Sequence, residues 1–196
     1  MSANYYDENA EAFFADTAAA RADDLYARFL PLLPPGGRIL DAGCGSGRDS
    51  LAFRLAGFNV TAFDASTEMV RLATRHAGLP VLQMRFDAVD WPGRFDGVWA
   101  CASLLHVPRA DLGAMVARLV AALRPGGILF ASFKYGTEER DHKGRRFTDL
   151  DEAGLETLFC GAGLTVVDMV TGEDRRPGRE GERWVSAVGR KAAAGG

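Results

Sequence analysis

Short apolar runs alternate along this chain with segments in which apolar residues recur at helical spacing. Strands with apolar side chains on both faces, which are joined by helices, are typical of a parallel sheet that helices cover on both sides. The pattern therefore predicts a doubly wound α/β domain. The predicted strands are RILDAG, NVTAFDA, VLQMRF, FDGVWACAS, GILFASF, LTVVDMVT and RWVSAVGRK, and the intervening helices are RDSLAFRLAG, STEMVRLATRHAG, DLGAMVARLVAAL and DLDEAGLETLFCGAG.

Local signals fix several ends of these elements. Ser66 is a candidate N-cap, and Gly57 and Gly78 stand where two helices should stop. The last two strands are separated by GEDRRPGREGE, which has no helical pattern, so this pair should be antiparallel. We expect seven strands, mostly parallel, with an antiparallel last strand.

The two ends of the predicted sheet are flanked by less regular segments. Residues 5–33 are helical in composition and end at LPPGG, whose prolines predict a turn. The stretch FKYGTEERDHKGRRF after the fifth strand reads as a loop. We therefore divide one domain, 1–196, into an N-terminal helical cap (1–35), a core (37–133), and substrate-side loops with the last strands (134–191).

Composition narrows the class of protein. The chain has 196 residues, 47% of them hydrophobic, and a net charge of −3. An acidic balance disfavours nucleic acid as a partner, and no apolar run approaches the ~20 residues that span a bilayer. There is no basic segment followed by an apolar core at the N-terminus, and three scattered cysteines indicate reduced thiols, so a cytoplasmic location is expected. Nothing in the pattern indicates an oligomeric state.

Three glycines at alternate positions carry the strongest chemical signal. Gly43, Gly45 and Gly47 lie between the first strand and its helix, a layout typical of a turn that binds a nucleotide. Asp64 ends the next strand nineteen residues after Gly45, where a carboxylate can meet ribose hydroxyls. The spacing G-x-G-x-G differs from the G-x-G-x-x-G of nicotinamide-dependent oxidoreductases, which disfavours that class.

Several motifs in this order resemble the class I S-adenosylmethionine-dependent methyltransferases. The resemblance lies between Gly37 and Phe133 and is carried by the motifs LDAGCGSG, FDAS, RFDAVDWPGRFDGVWACASLLHV and LRPGGILFASF. Within that family, the chain has a looser similarity to small bacterial tellurite-resistance-type enzymes. The resemblance implies a Rossmann-like sheet, S-adenosylmethionine as cofactor with S-adenosylhomocysteine as product, and in-line methyl transfer to a small-molecule acceptor. CASLLH lacks the Asn/Asp-Pro-Pro-aromatic motif of enzymes acting on protein amides or adenine. A tRNA or protein acceptor, or a non-catalytic binding module, remain the alternatives.

The resemblance also implies roles for individual residues. Asp41 and the backbone of the glycine turn would hold the methionine moiety, and Asp64 the ribose. Asp87 would accept from the adenine amino group, and Cys101 would lie beside the reactive methyl. The implied cofactor-binding set is Asp41, Gly43, Cys44, Gly45, Gly47, Asp64, Ala65, Asp87, Ala88 and Cys101.

Local structural roles compete with four of these assignments. Asp41 can cap the turn, and Asp64 can be the N-cap of the following helix. Asp90 competes with Asp87 for the adenine contact, and Cys101 can be an ordinary core thiol. Arg48, directly after the turn, is given no role by the sequence.

Methyl transfer needs alignment and exclusion of water more than a dedicated catalyst. The histidines are scattered, so no metal site is expected. His106 follows the fourth strand at the edge where the ligand must lie; it is a candidate general base, or it only holds the loop by a hydrogen bond.

Tyr5 and Tyr6 either close over the site or form a helix docking face. Arginine-rich loops suggest an anionic acceptor, unless their charges pair among themselves; the remaining substrate-side candidates are Lys134, Tyr135, Arg175 and Arg176.

Overall fold

The computed structural model describes residues 2–20, 22–174, 176, 178–179 and 181–193. Nine strands and seven α-helices are present in these ranges. The strands are β1 (Arg38–Ala42), β2 (Asn59–Asp64), β3 (Val81–Gln83), β4 (Phe95–Ala100), β5 (Leu123–Lys134), β6 (Glu139–His142), β7 (Arg145–Thr148), β8 (Leu164–Glu173) and β9 (Arg183–Lys191). The helices are α1 (Ser2–Glu8), α2 (Ala10–Thr17), α3 (Asp23–Phe29), α4 (Arg48–Leu55), α5 (Thr67–Ala77), α6 (Arg109–Ala122) and α7 (Glu152–Gly161).

Seven of the strands form one sheet in the order β3-β2-β1-β4-β5-β9-β8. Strands β1 to β5 pair in parallel, while β9 is antiparallel to both β5 and β8. This confirms the predicted architecture with its antiparallel last strand. The chain order reverses between β1 and β4, and in parallel sheets a ligand binds beyond the carboxyl ends of the strands at such a reversal.

Alternating side chains divide the core into two layers. Ile39, Trp99 and Phe130 point to one face and pack against Phe29 of α3 and Phe53 of α4. Residues next to them along the strands face the other layer, because successive strand side chains point in opposite directions. That second layer, which includes α6 and α7, buries Leu40, Val98 and Leu129.

The N-terminal segment forms three short helices, and the first of them is tied to the start of α5. The Asp7 carboxylate accepts from Ser66 Oγ at 2.6 Å and from the Glu68 backbone N–H at 3.2 Å. Ser66 Oγ also accepts from the Met69 N–H at 3.1 Å. Ser66 is therefore the N-cap of α5, as predicted, and the alternative that Asp64 caps this helix is wrong.

The segment after β5 was predicted as a loop, and this prediction is wrong. β6 and β7 form an antiparallel hairpin that pairs Glu139 with Thr148 and His142 with Arg145. Lys143 and Gly144 make its two-residue turn with φ of 50° and 75°, as a type I′ turn requires. Its strands are charged instead of alternating in polarity, and Lys-Gly is not a typical turn pair, so neither usual hairpin signal was present.

Candidate functional site

A cavity of about 770 Å³ lies at the carboxyl ends of the central strands. Its wall runs from the glycine turn after β1 to the β6–β7 hairpin, and residues of α1 and α2 contribute to it. Small-molecule and cofactor sites typically occupy about 300–1,000 Å³. The cavity is thus large enough for a nucleotide-sized cofactor and part of a second molecule.

The glycine turn has a backbone shape that side chains would not allow. Gly43 has φ of 77°, and a Cβ there would lie 2.6 Å from the Cβ of Ser103. Gly47 has φ of 75°, and its Cβ would lie 3.0 Å from the Cβ of Ala73 in α5. Left-handed backbone and close packing therefore both require glycine. The turn brings β1, β4 and α5 together beneath the cavity floor.

Asp64 presents its carboxylate at the cavity wall. One oxygen accepts from the Gly45 N–H and the other from the Ser66 N–H, each at 2.9 Å. Burial raises the pKa of Asp64, and these backbone donors partly oppose the shift. A carboxylate offers about four acceptor positions, and the backbone of Gly45, Ala65 and Ser66 interacts with this one, so capacity remains for a ligand donor such as a ribose hydroxyl.

Asp41 lies behind the cavity wall and not on its surface. Its carboxylate is buried and accepts from Ser50 Oγ at 2.5 Å. Burial, together with the nearby Asp49 charge, raises the pKa of Asp41 to about 8. Ser50 lies in the first turn of α4, so this side-chain hydrogen bond joins the end of β1 to that helix.

Asp49 was missed by the sequence analysis, although it organises this end of the cavity. Burial would raise its pKa, but the pKa is lowered because Arg48, Tyr26 and Trp99 all donate to it. The distances are 2.6 and 2.9 Å from Arg48, 2.5 Å from Tyr26 Oη and 2.8 Å from Trp99 Nε1. Asp49 thus fixes the Arg48 guanidinium at the cavity wall. Its position inside a helix, next to an arginine, gave no signal of these long-range partners.

The end of β4 contributes Cys101 and the residues after it. Cys101 Sγ lies 3.8 Å from Arg48 Nη2 and 3.6 Å from Ser132 Oγ, and burial raises the pKa of this thiol to about 11. Ala102 has a left-handed φ of 51°, and its N–H donates to Ser132 Oγ at 2.8 Å. A thiol with so high a pKa remains protonated and is a poor nucleophile.

His106 forms a hydrogen-bonded pair with Tyr6 of the N-terminal cap. Its Nδ1 lies 2.6 Å from the carbonyl oxygen of Arg146, and its Nε2 lies 2.7 Å from Tyr6 Oη. A carbonyl only accepts, so Nδ1 carries the hydrogen and Nε2 accepts from the tyrosine. Burial lowers the pKa of His106 to about 4, which leaves the imidazole neutral near pH 7.

The other substrate-side candidates are mostly paired. Lys134 forms an ion pair with Glu182, and Arg176 pairs with Asp174 at 2.6 Å. Arg183 covers the ring of Tyr135 at 4.0 Å. Arg175 lies outside the described residues. For Lys134 and Arg176, the self-paired alternative is the one the structure supports.

The predicted residues divide into those that line the cavity and those that lie behind it. Lining it are Gly43, Cys44, Gly45, Asp64, Ala65, Asp87 and Cys101 from the cofactor set, and Tyr6, His106, Lys134 and Arg176 from the substrate set. Lying outside its lining are Asp41, Gly47, Ala88, Tyr5 and Tyr135. Asp87 is ion-paired with Arg85 at 3.5 Å and lies beside Phe86 in a short 3₁₀ turn.

Two further features concern metal-ligating side chains and the length and polarity of the helices. Within the described ranges, no group of three or more His, Cys, Asp or Glu side chains is arranged to hold a metal ion. Across those same residues, every helix is too short or too polar to cross a membrane.

Comparison with known proteins gives a consistent result. Residues 39–127 match a model described as a methyltransferase domain. The ubiquinone biosynthesis O-methyltransferase of Xanthomonas campestris pv. campestris (strain B100) is 38% identical over 105 residues, which are 50% of this chain and 43% of that protein. The chain therefore spans less than half the length of this curated relative.

Solved structures match over nearly the whole chain. The 1,6-didemethyltoxoflavin-N1-methyltransferase of Burkholderia thailandensis, bound to 1,6-didemethyltoxoflavin and S-adenosylhomocysteine, has a TM-score of 0.76 and 28% identity. The match covers 96% of this chain and 84% of that one. Magnesium protoporphyrin IX methyltransferase from Synechocystis PCC 6803, bound to S-adenosylhomocysteine, has a TM-score of 0.77 at 18% identity, with 97% and 98% covered.

The second of these structures, at 18% identity, shows a shared fold alone. The glycine turn, the acid after β2 and the antiparallel β9 are all in the places that the sequence resemblance requires. Together these findings show that residues 39–127 match a methyltransferase domain and that the chain as a whole is similar to S-adenosylmethionine-dependent methyltransferases.

Proposed function

We propose that this protein transfers a methyl group from S-adenosylmethionine to a small-molecule acceptor by in-line displacement. The observation that carries the proposal is one continuous cavity reaching from Asp64 to His106, with Tyr6 and Phe13 of the cap in its wall. The Tyr6–His106 hydrogen bond closes the cap against the core. A concave site of this size, with the cap as one wall, suits a small acceptor.

The residues present fit the cofactor. Asp64 has acceptor capacity for the ribose hydroxyls, while Ala65, Phe86 and Asp87 offer an apolar surface and an acceptor for the adenine. The backbone of Gly43 and Gly45 approaches the position expected for the methionine moiety. When bound, S-adenosylmethionine supplies an electrophilic methyl on a sulfonium sulfur. The protein's part is to align the acceptor with that methyl and to keep water out.

We also propose that His106 takes the proton of an acceptor hydroxyl or amine, with Tyr6 as its neighbour. Its Nε2 already accepts a hydrogen bond from Tyr6, so a proton can pass to it through the tyrosine oxygen. A neutral imidazole can accept a proton, but a pKa of about 4 makes His106 a weak base. We therefore propose that the proton leaves as the methyl arrives, when the acceptor atom becomes positively charged and its proton acidic. Tyr6 lines the cavity, which supports its inclusion in the acceptor site.

We also propose the class of the acceptor, its charge and the location of the protein. The acidic composition favours a small molecule over nucleic acid as the acceptor, and we propose a cytoplasmic location on the cysteine usage. An anionic acceptor is also proposed, although Lys134 and Arg176 do not support it, because their charges are already neutralised.

The cofactor assignment is tested by calorimetric titration of the protein with S-adenosylhomocysteine, with NAD as the comparison ligand. We expect micromolar binding of the first ligand and none of the second. Asp64→Asn should weaken binding roughly tenfold to a hundredfold, because hydrogen bonds to a charged group contribute about 1.5–3 kcal/mol.

Asp90→Asn is the matched control, since Asp90 is an exposed acid that does not line the cavity. Its affinity should equal that of the unmodified protein. Failure of S-adenosylhomocysteine to bind, or equal weakening by both substitutions, would contradict the proposed cofactor site. A positive result opens a screen of acceptors with labelled S-adenosylmethionine.

A further inference from the structure

Arg145 differs from the other positively charged residues in the cavity wall. Six described cations of the wall each have a carboxylate within 4.0 Å: Arg48, Arg85, Lys134, Arg146, Arg176 and Arg179. Among the described residues, no carboxylate forms an ion pair with Arg145. Among the described cations of the wall, Arg145 is therefore the one whose charge no described acidic side chain balances.

The contacts of Arg145 hold its guanidinium in place and leave donor capacity free. The guanidinium carbon lies 4.5 Å from the centre of the Tyr5 ring and 5.1 Å from that of Phe147. Its Nε is buried and has no hydrogen-bond partner within the described part of the chain. The guanidinium also interacts with the Tyr6 hydroxyl, which is a neutral group. Stacking on aromatic rings uses the face of a guanidinium, whereas its N–H groups donate in the plane.

The surroundings of Arg145 connect it to the acceptor end of the site. It begins β7, and the carbonyl of the next residue, Arg146, accepts from His106 Nδ1. The positive charge of Arg145 also contributes to the low pKa of His106, after the larger effect of burial. A group bound at Arg145 would thus lie close to both Tyr6 and His106.

We propose that Arg145 binds an anionic oxygen group of the methyl acceptor, a carboxylate or a phosphate. This rests on the methyl-transfer function proposed above. The buried unpartnered Nε and the unbalanced charge are both satisfied by an oxyanion, and a planar fork of N–H donors suits bidentate binding of either group. Arg145 is then a specificity-determining residue that holds the acceptor's reactive group beside Tyr6 and His106.

The test follows the arginine Nε–H signals of the full-length ¹⁵N-labelled protein by NMR, with and without S-adenosylhomocysteine. The probes are benzoate and phenyl phosphate, with benzamide as the neutral match. We expect one of the two anions, or both, to shift the Arg145 signal saturably, and the stronger of them identifies the preferred oxyanion. Benzamide should leave the signal in place.

Substitutions separate a site at Arg145 from general attraction to positive charge. Arg145→Gln should weaken anion binding roughly tenfold or more, as expected for lost hydrogen bonds to a charged group. Arg146→Gln removes the same charge one residue away, from a side chain already paired with Asp141, and should bind as the unmodified protein does. Arg145→Lys keeps the charge without the fork and should fall between them.

A second measurement in the unmodified protein does not depend on any variant folding. Binding of the anion should raise the pKa of His106, because it neutralises the nearby Arg145 charge, and benzamide should not. If neither anion shifts the Arg145 signal or the His106 titration, or if Arg145→Gln and Arg146→Gln weaken binding equally, the proposal is wrong. Loss of S-adenosylhomocysteine binding with anion binding intact would instead contradict the methyl-transfer function alone.

Discussion

At the scale of single residues, neighbouring carboxyl groups of the site have opposite protonation states. Asp41 and Asp49 are both buried, yet only Asp49 is surrounded by a guanidinium and two further donors. Its negative charge is stabilised there, and the same charge makes ionisation of Asp41 less favourable. The pair therefore carries one negative charge near pH 7, which Arg48 balances.

Asp41 should make stability fall as the pH rises. Its pKa is about 8 in the folded protein and close to 4 when unfolded. Between these values the folded state holds a proton that the unfolded state has released, so the free energy of unfolding decreases with a limiting slope of about 1.4 kcal/mol per pH unit. Asp41→Asn is neutral throughout and should lose this decline. Urea unfolding at a series of pH values between 5 and 9 measures the difference between the two proteins.

Ser50→Ala provides the matching control for that experiment. It removes the hydrogen bond to Asp41 and keeps the carboxyl group, so the decline with pH should persist. An Asp41→Asn protein with the same pH dependence as the unmodified chain would mean that Asp41 is already ionised at neutral pH.

At the scale of elements, the sequence predicted what depends on short-range signals. The glycine turn needs a left-handed backbone at Gly43 and Gly47. Because only glycine adopts this conformation readily, the glycines made the turn predictable from the sequence. Ser66 and Gly78 marked α5 by the same kind of local rule. The β6–β7 hairpin is local, but its charged strands and Lys-Gly turn left neither a periodic nor a turn signal. The contacts of Asp49 with Tyr26 and Trp99 depend on partners distant in sequence. Arg145 belongs to an arginine-rich segment from which the sequence suggested an anionic acceptor, but its place in the cavity wall comes from the hairpin.

The attachment of α1 to α5 should depend on Asp7. Its carboxylate accepts hydrogen bonds from Ser66 Oγ and from a backbone N–H at the start of α5. Loss of a side-chain acceptor at a helix N-terminus costs about 0.5–2 kcal/mol. In Asp7→Ala the amides of α1, which exchange by local opening of the helix, should exchange with solvent roughly 2–30-fold faster. Hydrogen exchange followed by mass spectrometry of peptides from residues 2–17 measures this.

Glu8→Ala is the control for Asp7→Ala, because Glu8 is the next acidic residue on the same helix and is exposed. Its exchange should match that of the unmodified protein. Equal protection of α1 in Asp7→Ala would show that the aromatic contacts of Tyr6 with Phe13 and His106 hold the cap without the carboxylate.

At the scale of the whole molecule, one cavity is built from parts that are far apart in the chain. The core supplies its floor, the cap one wall, and the hairpin and β9 the acceptor end. Arg28 of α3 is bonded to Asp168 of β8, and Tyr26 of α3 to Asp49 of α4, so the cap and both halves of the sheet are linked directly. Such connections favour unfolding of the cap and core as one cooperative unit.

Binding of S-adenosylhomocysteine should therefore raise the temperature of a single unfolding transition. At a free concentration a hundred times the Kd, a ligand stabilises the folded state by about 2.7 kcal/mol. For a domain of this size that corresponds to roughly 5–11 °C in Tm. Scanning calorimetry with S-adenosylhomocysteine and, separately, with NAD measures it, and NAD should leave Tm unchanged. Two transitions, of which only one shifts with ligand, would instead mean that the cap is not part of the unit that binds the cofactor.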